Sequence, residues 1–210
     1  MNKKTTPARK RGRPKKAESL NQDTRAALIR SGLEHFTEFG FVASGIDAIL
    51  KNVGIPKGSF YYYFDSKEAF GLSVIQSYAK YFAKKLDTCL LDEAMSPLLR
   101  IANFVDIAKQ GMVKHEYRRG CLVGNLGQEV DLLPDTFAPL LLEVFNEWQS
   151  KIADCLKLAQ ASGECNQHFN ADEIAEFFWI GWEGAISRAR LAKTTKPLDI
   201  YLSYFLKLVK

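Results

Sequence analysis

No run in this 210-residue chain approaches ~18 uninterrupted apolar residues, so a helical membrane span is not expected. The N-terminus is basic but lacks the apolar stretch that a secretory signal needs, and a cytoplasmic protein is expected. Cysteine is sparse: Cys89, Cys121, Cys155 and Cys165 stand far apart and form no Cys-x-x-Cys pair. That spacing supports neither a zinc finger nor a disulfide framework, and a buried, inert thiol is the default for each. Sustained period-two alternation of β-branched residues is missing, so no sheet is expected. Catalytic signatures are missing too. Cys121 with His115 or His168 is the one thiol–base pairing on offer, and no flanking motif supports it. An enzyme, a cofactor and a metal site are therefore not expected.

Apolar content of 47% and charged content of 25% are those of an ordinary globular protein. The net charge of +5 hides an asymmetry. Residues 1–20 carry eight Lys/Arg against the single acid Glu18, a charge of +7, which leaves −2 for the other 190 residues. Basicity belongs to a tail, and it points to a polyanionic partner, nucleic acid before membrane. With Pro7, Pro14 and few apolar residues, residues 1–20 read as disordered in isolation. Within them "RKRGRPKK" (9–16) places Gly-Arg-Pro among basic residues, in the manner of an AT-hook. Arg11 and Arg13 would then enter a narrow A·T minor groove, or the tail would attract phosphate without sequence preference.

From Asp23 onward the pattern is helical. The first helix is expected to start at Asp23 or Thr24, to bury Leu28, Ile29, Gly32, Leu33, Phe36 and Phe39, and to end at Gly40. A second starts near Ser44 as N-cap and stops at Gly54, and a third opens at Pro56. A long fourth follows Asp65-Ser66, with Phe70, Val74, Ile75, Tyr78, Phe82 and Leu86 on one face. Later helices are expected over about 95–113, 119–131, 136–161, 171–192 and 198–209, with Asn170 and Glu173 as a capping box and Pro197 opening the last.

Two short helices joined at a glycine-containing turn and braced by a preceding helix describe a helix-turn-helix. The third of them carries five aromatic rings in "FYYYF", 60–64. On a helical wheel Phe60 and Phe64 share the inward face, Tyr61 and Tyr62 turn outward, and Tyr63 falls toward the edge. Five rings cannot all face a core on so short a helix. Phenols suit a groove wall, with the ring against sugar and the hydroxyl donating to phosphate. Lys57 lies in the first turn, where recognition helices meet base edges, and Gly58 permits close approach. Ser44 and Lys67 lie at helix starts, where backbone N–H groups favour phosphate.

In "RRGCLVGNLGQE" (118–129), Gly120, Gly124 and Gly127 recur at i, i+4, i+7 of the expected helix. Three helical glycines, each costing about 1 kcal/mol against alanine, imply a close helix crossing or a ligand against bare backbone. Cys121, Asn125 and Gln128 form the neighbouring stripe, a wall suited to a small polar effector. Arg118 or Arg119 could hold a small carboxylate bidentately, or both could be surface residues. In "EFFWIGWEGAISRA" (176–189), Trp179, Trp182 and Glu183 fall on or near one face. A carboxyl there is a solvated edge or, if buried, must find a partner or take up a proton. Trp148 and Tyr78 complete an aromatic cavity or simply fill core. Gly181, Gly184 and Ala185, with the apolar last helix, suggest a two-fold four-helix dimer interface.

Residues 24–70 strongly resemble the DNA-binding heads of the TetR family of one-component repressors. The matching residues are Ser44, the helix 46–53, Gly54-Ile55, Lys57 through Phe64, and Ser66-Lys67-Glu68; Gly45 departs from a frequent threonine. The resemblance implies an all-α fold of about nine helices. Residues 21–67 would form a three-helix helix-turn-helix domain, and 68–210 an effector-binding and dimerisation body. It also implies that Ser44 and Lys67 bind phosphate, that Tyr61, Tyr62 and Tyr63 line backbone and groove, and that Lys57 and Ser59 read bases. The body is similar to that of acrylate-responsive repressors in this family. A related group with a similar Gly-Cys-Leu senses electrophiles through the thiol. The expected protein is a homodimeric repressor on palindromic double-stranded operator DNA, released by acrylate or a related unsaturated carboxylate or thioester. The alternatives are covalent sensing at Cys121 and an architectural DNA-bending protein built on the tail.

Overall fold

The structure is a computed structural model. It describes the backbone of residues 15–210, with side chains described from residue 21 onward. Residues 1–14, and with them Arg11 and Arg13, lie outside the described residues. Among the described residues the chain is all-α, with nine α-helices and one short 3-10 turn. The helices are α1 (Lys15–Phe39), α2 (Ile46–Val53), α3 (Lys57–Tyr63), α4 (Lys67–Leu90), α5 (Pro97–Lys114), α6 (Leu122–Gly127), α7 (Phe137–Ala161), α8 (Ala171–Ala192) and α9 (Lys196–Val209).

Gly40 and Gly54 end α1 and α2 in left-handed backbone, φ 82° and 73°, as glycine uniquely permits at no steric cost. The Ser66 hydroxyl accepts from the Ala69 N–H to cap α4, and Asn170 Oδ1 accepts from the N–H groups of Asp172 and Glu173 to cap α8. Sequence and structure differ most around α1, α2 and α6. α1 begins at Lys15, eight residues before Asp23, so the end of the expected disordered tail is helical. Gly45, not Ser44, caps α2, and no side chain takes part. The expected helix over 119–131 is broken: α6 covers only Leu122–Gly127, a 3-10 turn follows at Val130–Leu132, and Glu116 and Tyr117 take left-handed backbone before it.

All six expected inward residues of α4 are buried, from Phe70 to Leu86. Phe36, Phe41, Phe60 and Phe64 gather around Phe70, with centroids of 4.8 to 5.6 Å between ring neighbours. Further along α4, Phe82 meets Trp148 of α7 at 4.3 Å, and Trp148 meets Trp179 of α8 at 5.1 Å. Phe39 departs from the expected α1 face and is exposed.

α4 approaches its neighbours at Gly71, where a β-carbon would fall 2.5 Å from Phe137 Cζ and 2.8 Å from Phe41 Cε2. Both are rigid ring atoms in a packed cluster, so Gly71→Ala is expected to destabilise the fold by about 1–3 kcal/mol. A lowered urea midpoint at unchanged slope would show it.

Candidate functional site

The residues expected to meet DNA form an exposed face on α3. Phe60 is fully buried and Phe64 nearly so, while Tyr61 and Tyr62 are 63% and 64% exposed. Two aromatic residues thus anchor the helix and the next two phenols stand clear of the core. Tyr63 is half-buried against Tyr62, and Ser59 is half-buried. Gly58 is exposed, and a β-carbon there would meet nothing within 4 Å. Lys57 is exposed and pairs with Asp47 of α2 at 3.0 Å. Asp47 is a functional neighbour that sequence reading missed, because nothing in the local pattern sets the distance between two helices.

Two expected phosphate ligands are placed otherwise. Ser44 is 2% exposed, and its hydroxyl donates to the Gly40 carbonyl at 2.5 Å. It fixes the α1–α2 corner and its side chain does not present itself to solvent. Lys67 lies over the Phe41 ring, 4.5 Å from its centroid, and its Nζ donates to the Val42 carbonyl at 3.4 Å. Partial burial lowers its pKa, against an opposing pull from Glu129.

The candidate effector site is a cavity of about 430 Å³ between the head and the body helices. Four helices and one loop line it. α4 supplies Tyr78, Tyr81, Phe82 and Lys85, at i, i+3, i+4 and i+7 of a single face. α5 supplies Ala108, Gly111, Met112 and His115 with the same spacing. Trp182 and Ile186 enter from α8, Leu33, Glu34 and Thr37 from α1, and Arg119, Gly120 and Cys121 from the segment before α6.

Only some of the residues expected to bind effector meet there. Arg119, Cys121 and Trp182 line the cavity. Arg119 is already engaged by two carboxylates of α1, Glu38 at 2.8 Å and Glu34 at 3.5 Å. Arg118 points outward and pairs with Glu116. Asn125 is structural: its amide N–H donates to the Thr37 carbonyl, and its oxygen accepts from Arg190. Gln128 is exposed. Of the three glycines, Gly120 and Gly124 both face α8, against Ile186 and Arg190 and against Glu183, while Gly127 has open space around it. Trp148 and Trp179 are buried in the ring cluster behind the cavity and do not line it. Lys85, which does, went unremarked in the sequence because its place on the Tyr78–Phe82 face becomes meaningful only once α5 and α8 close over it.

Glu183 lies just behind the wall. The residue as a whole is half-buried, but its carboxyl end is inside: Oε1 is shut off from solvent and has no hydrogen-bond partner. Oε2 sits against Gly124, where a β-carbon would overlap it. No cation of the described residues pairs with it. Burial pushes its pKa up to about 7, with the Cys121 thiol pulling slightly the other way. Burial first, and then the Glu183 charge, push the Cys121 thiol well above its ordinary value; Tyr78 is raised by burial and by both neighbours. The three groups favour their protonated forms together.

Because the Glu183 carboxyl has a folded-state pKa of about 7 against 4.5 in the open chain, its burial carries no ionisation penalty below pH ~4.5. The penalty grows between these values and is complete above pH ~7, reaching about 3 kcal/mol. Glu183→Gln cannot ionise, so its stability relative to the native chain is expected to rise from pH 5 to pH 8. Parallel stability–pH curves for the two proteins would refute a buried, unpaired carboxyl.

Comparison with known proteins covers both halves. Residues 28–73 match the family described as bacterial regulatory proteins, tetR family, and residues 97–205 match the tetracyclin repressor-like C-terminal domain. Transcriptional regulator AcuR of Cereibacter sphaeroides is 47% identical over 196 residues, 93% of this chain and 89% of that protein. HTH-type transcriptional repressor DhaR of a Mycobacterium species is 31% identical over 179 residues, 85% of this chain and 88% of that protein. The crystal structure of a regulatory protein TetR from Rhodobacter sphaeroides superposes with a TM-score of 0.87 at 47% identity, covering 89% of this chain and 99% of that one.

Proposed function

Because the chain belongs to the TetR family of transcriptional regulators, we propose that it is a homodimeric repressor whose operator affinity is switched by a small carboxylate in the cavity. The observation that carries the DNA half is the α3 face: two buried phenylalanines hold two exposed tyrosines, Gly58 and Lys57 on the outside of a short helix. The head would comprise residues 21–67 and the regulatory body 68–210. Two recognition helices entering successive major grooves need centres about 34–36 Å apart, hence a near-palindromic site. The dimer is supported by an open apolar groove between α8 and α9, lined by Gly184, Ala185, Leu191, Pro197, Ile200 and Tyr204. Gly184 has open space around it, as a close-packed partner helix would require. Gly181 is occupied from within the chain, by Tyr201 of α9.

Acrylate, a related unsaturated carboxylate or its thioester fits the cavity's chemistry: aromatic and apolar walls with cationic side chains. The likeness of 118–129 and 176–189 to acrylate-responsive repressors supports the same reading. An effector that prefers the cavity of one head spacing shifts the population toward it and releases DNA. Covalent sensing at Cys121 has in its favour the thiol's place in the cavity wall. Its burial and raised pKa favour the unreactive thiol, since thiolate is the nucleophile. Reversible binding is therefore the preferred mechanism.

Mobility shifts on the chain's own promoter test the whole reading. Sequence-specific binding that acrylate releases is expected; sequence-independent binding, or binding indifferent to every small carboxylate, would overturn it. A Cys121→Ser protein is expected to respond still, and intact mass after release should show no adduct. On the head, Lys57→Ala is expected to weaken operator binding and flatten its salt dependence. Asp47→Asn is expected to tighten binding by freeing Lys57 from its counter-ion. Unchanged affinity in both variants would remove Lys57 from the interface.

A further inference from the structure

Among the described residues that line the cavity, one half-buried cation has no anionic partner. Lys85 is half-buried on the cavity face of α4, and burial pulls its pKa down. No described carboxylate pairs with it, and the group nearest it electrostatically is the Cys89 thiol. The other cationic candidates of the cavity differ. Arg119 is held by Glu34 and Glu38. Lys114 is exposed at the rim. His115 is driven toward its neutral form by burial and by Arg119 and Lys114. Other half-buried lysines of the body follow the usual pattern: Lys109 and Lys151 each pair with an acid at 2.7 Å or less. A half-buried ammonium without an anion is costly to hold unless a ligand completes it.

We propose that Lys85 is the anchor for the effector's carboxylate and sets the site's preference for acids over neutral isosteres. The assignment rests on the small-carboxylate reading of the cavity and replaces Arg118 and Arg119 as the anion-binding group. One turn back along α4, Tyr81 and Phe82, and two turns back Tyr78, offer the aromatic contacts for the carbon end of a ligand held at Lys85, with Trp182 also in the lining. The spacing suits a chain of a few carbons. An anchor on α4 also acts on the helix that begins under the head at Lys67, about 27 Å away along the same rod.

Calorimetry on the full-length protein tests this with sodium acrylate, sodium propanoate and neutral propionamide. The native chain is expected to bind both acids more tightly than the amide. Lys85→Met is expected to lose about 10- to 100-fold in affinity for the acids and nothing for the amide, the range for removing a charge-assisted hydrogen bond. Lys85→Arg should stay within a few-fold of the native chain. Operator binding without ligand should be unchanged in both, which reports intact folding, and Lys85→Gln serves if the methionine variant fails to fold. Acids bound equally well by the native and Met or Gln proteins would overturn the anchor alone. A native chain that takes neither acid would overturn the small-carboxylate reading and the anchor with it.

Discussion

The rest of the structure depends on α4 being buried along one continuous face. Its first two turns close the underside of the head, where Phe70 meets Phe36, Phe60 and Phe64. Its middle turns enter the body, where Phe82 meets Trp148 and Tyr78 borders the cavity. Burying a side chain of this size is worth roughly 1.5–3 kcal/mol, so neither end detaches cheaply. A helix so held has few soft degrees of freedom: it tilts or slides as a unit. It therefore links, in one rigid rod, the cavity on its flank and the packing beneath α3 at its start.

A second set of links runs in parallel through α6. Asn125 donates to the Thr37 carbonyl near the end of α1, Arg119 pairs with Glu34 and Glu38, and Arg190 of α8 holds Asn125 from behind. These are polar and partly solvated, and individually weaker than the aromatic contacts of α4. They give direction to a contact that packing alone would leave slippery. The buried Glu183 carboxyl on Gly124 belongs to the same seam, and a β-carbon at position 124 would displace it.

Much of this was legible in the sequence, because it is written in short-range periodicity. The wheel of α3 separates Phe60 and Phe64 from Tyr61 and Tyr62, and the six buried residues of α4 follow the 3.6-residue repeat. Glycine placed the ends of α1 and α2 for the plain reason that only glycine accepts that backbone freely. The illegible part was set by distance in space. Ser44 looked like a cap but turns inward to Gly40; Lys67 looked free for phosphate but lies on Phe41; Asn125 looked free for a ligand but is held by Thr37 and Arg190. For Trp148, where the sequence left cavity wall and core open, packing among Phe82 and Trp179 decides for core, and Trp179 lies in the same cluster. Lys85 was the reverse case, an ordinary lysine in sequence that the enclosing helices make unusual.

Glu129 carries a last consequence. Its Oε2 accepts from the Val42 N–H at 3.0 Å, and its other oxygen rests on Gly40, so a side chain from the end of α6 completes the α1–α2 corner. The head therefore borrows part of its own scaffold from the body. A chimaera that grafts the head onto a foreign body would lose that bond and leave the partly exposed Val42 N–H to water, unless an acid comes along at the equivalent of position 129. A head and body that share one corner of scaffold in this way are not independent parts: exchanging the head alone removes an interaction that the α1–α2 corner keeps in the native chain.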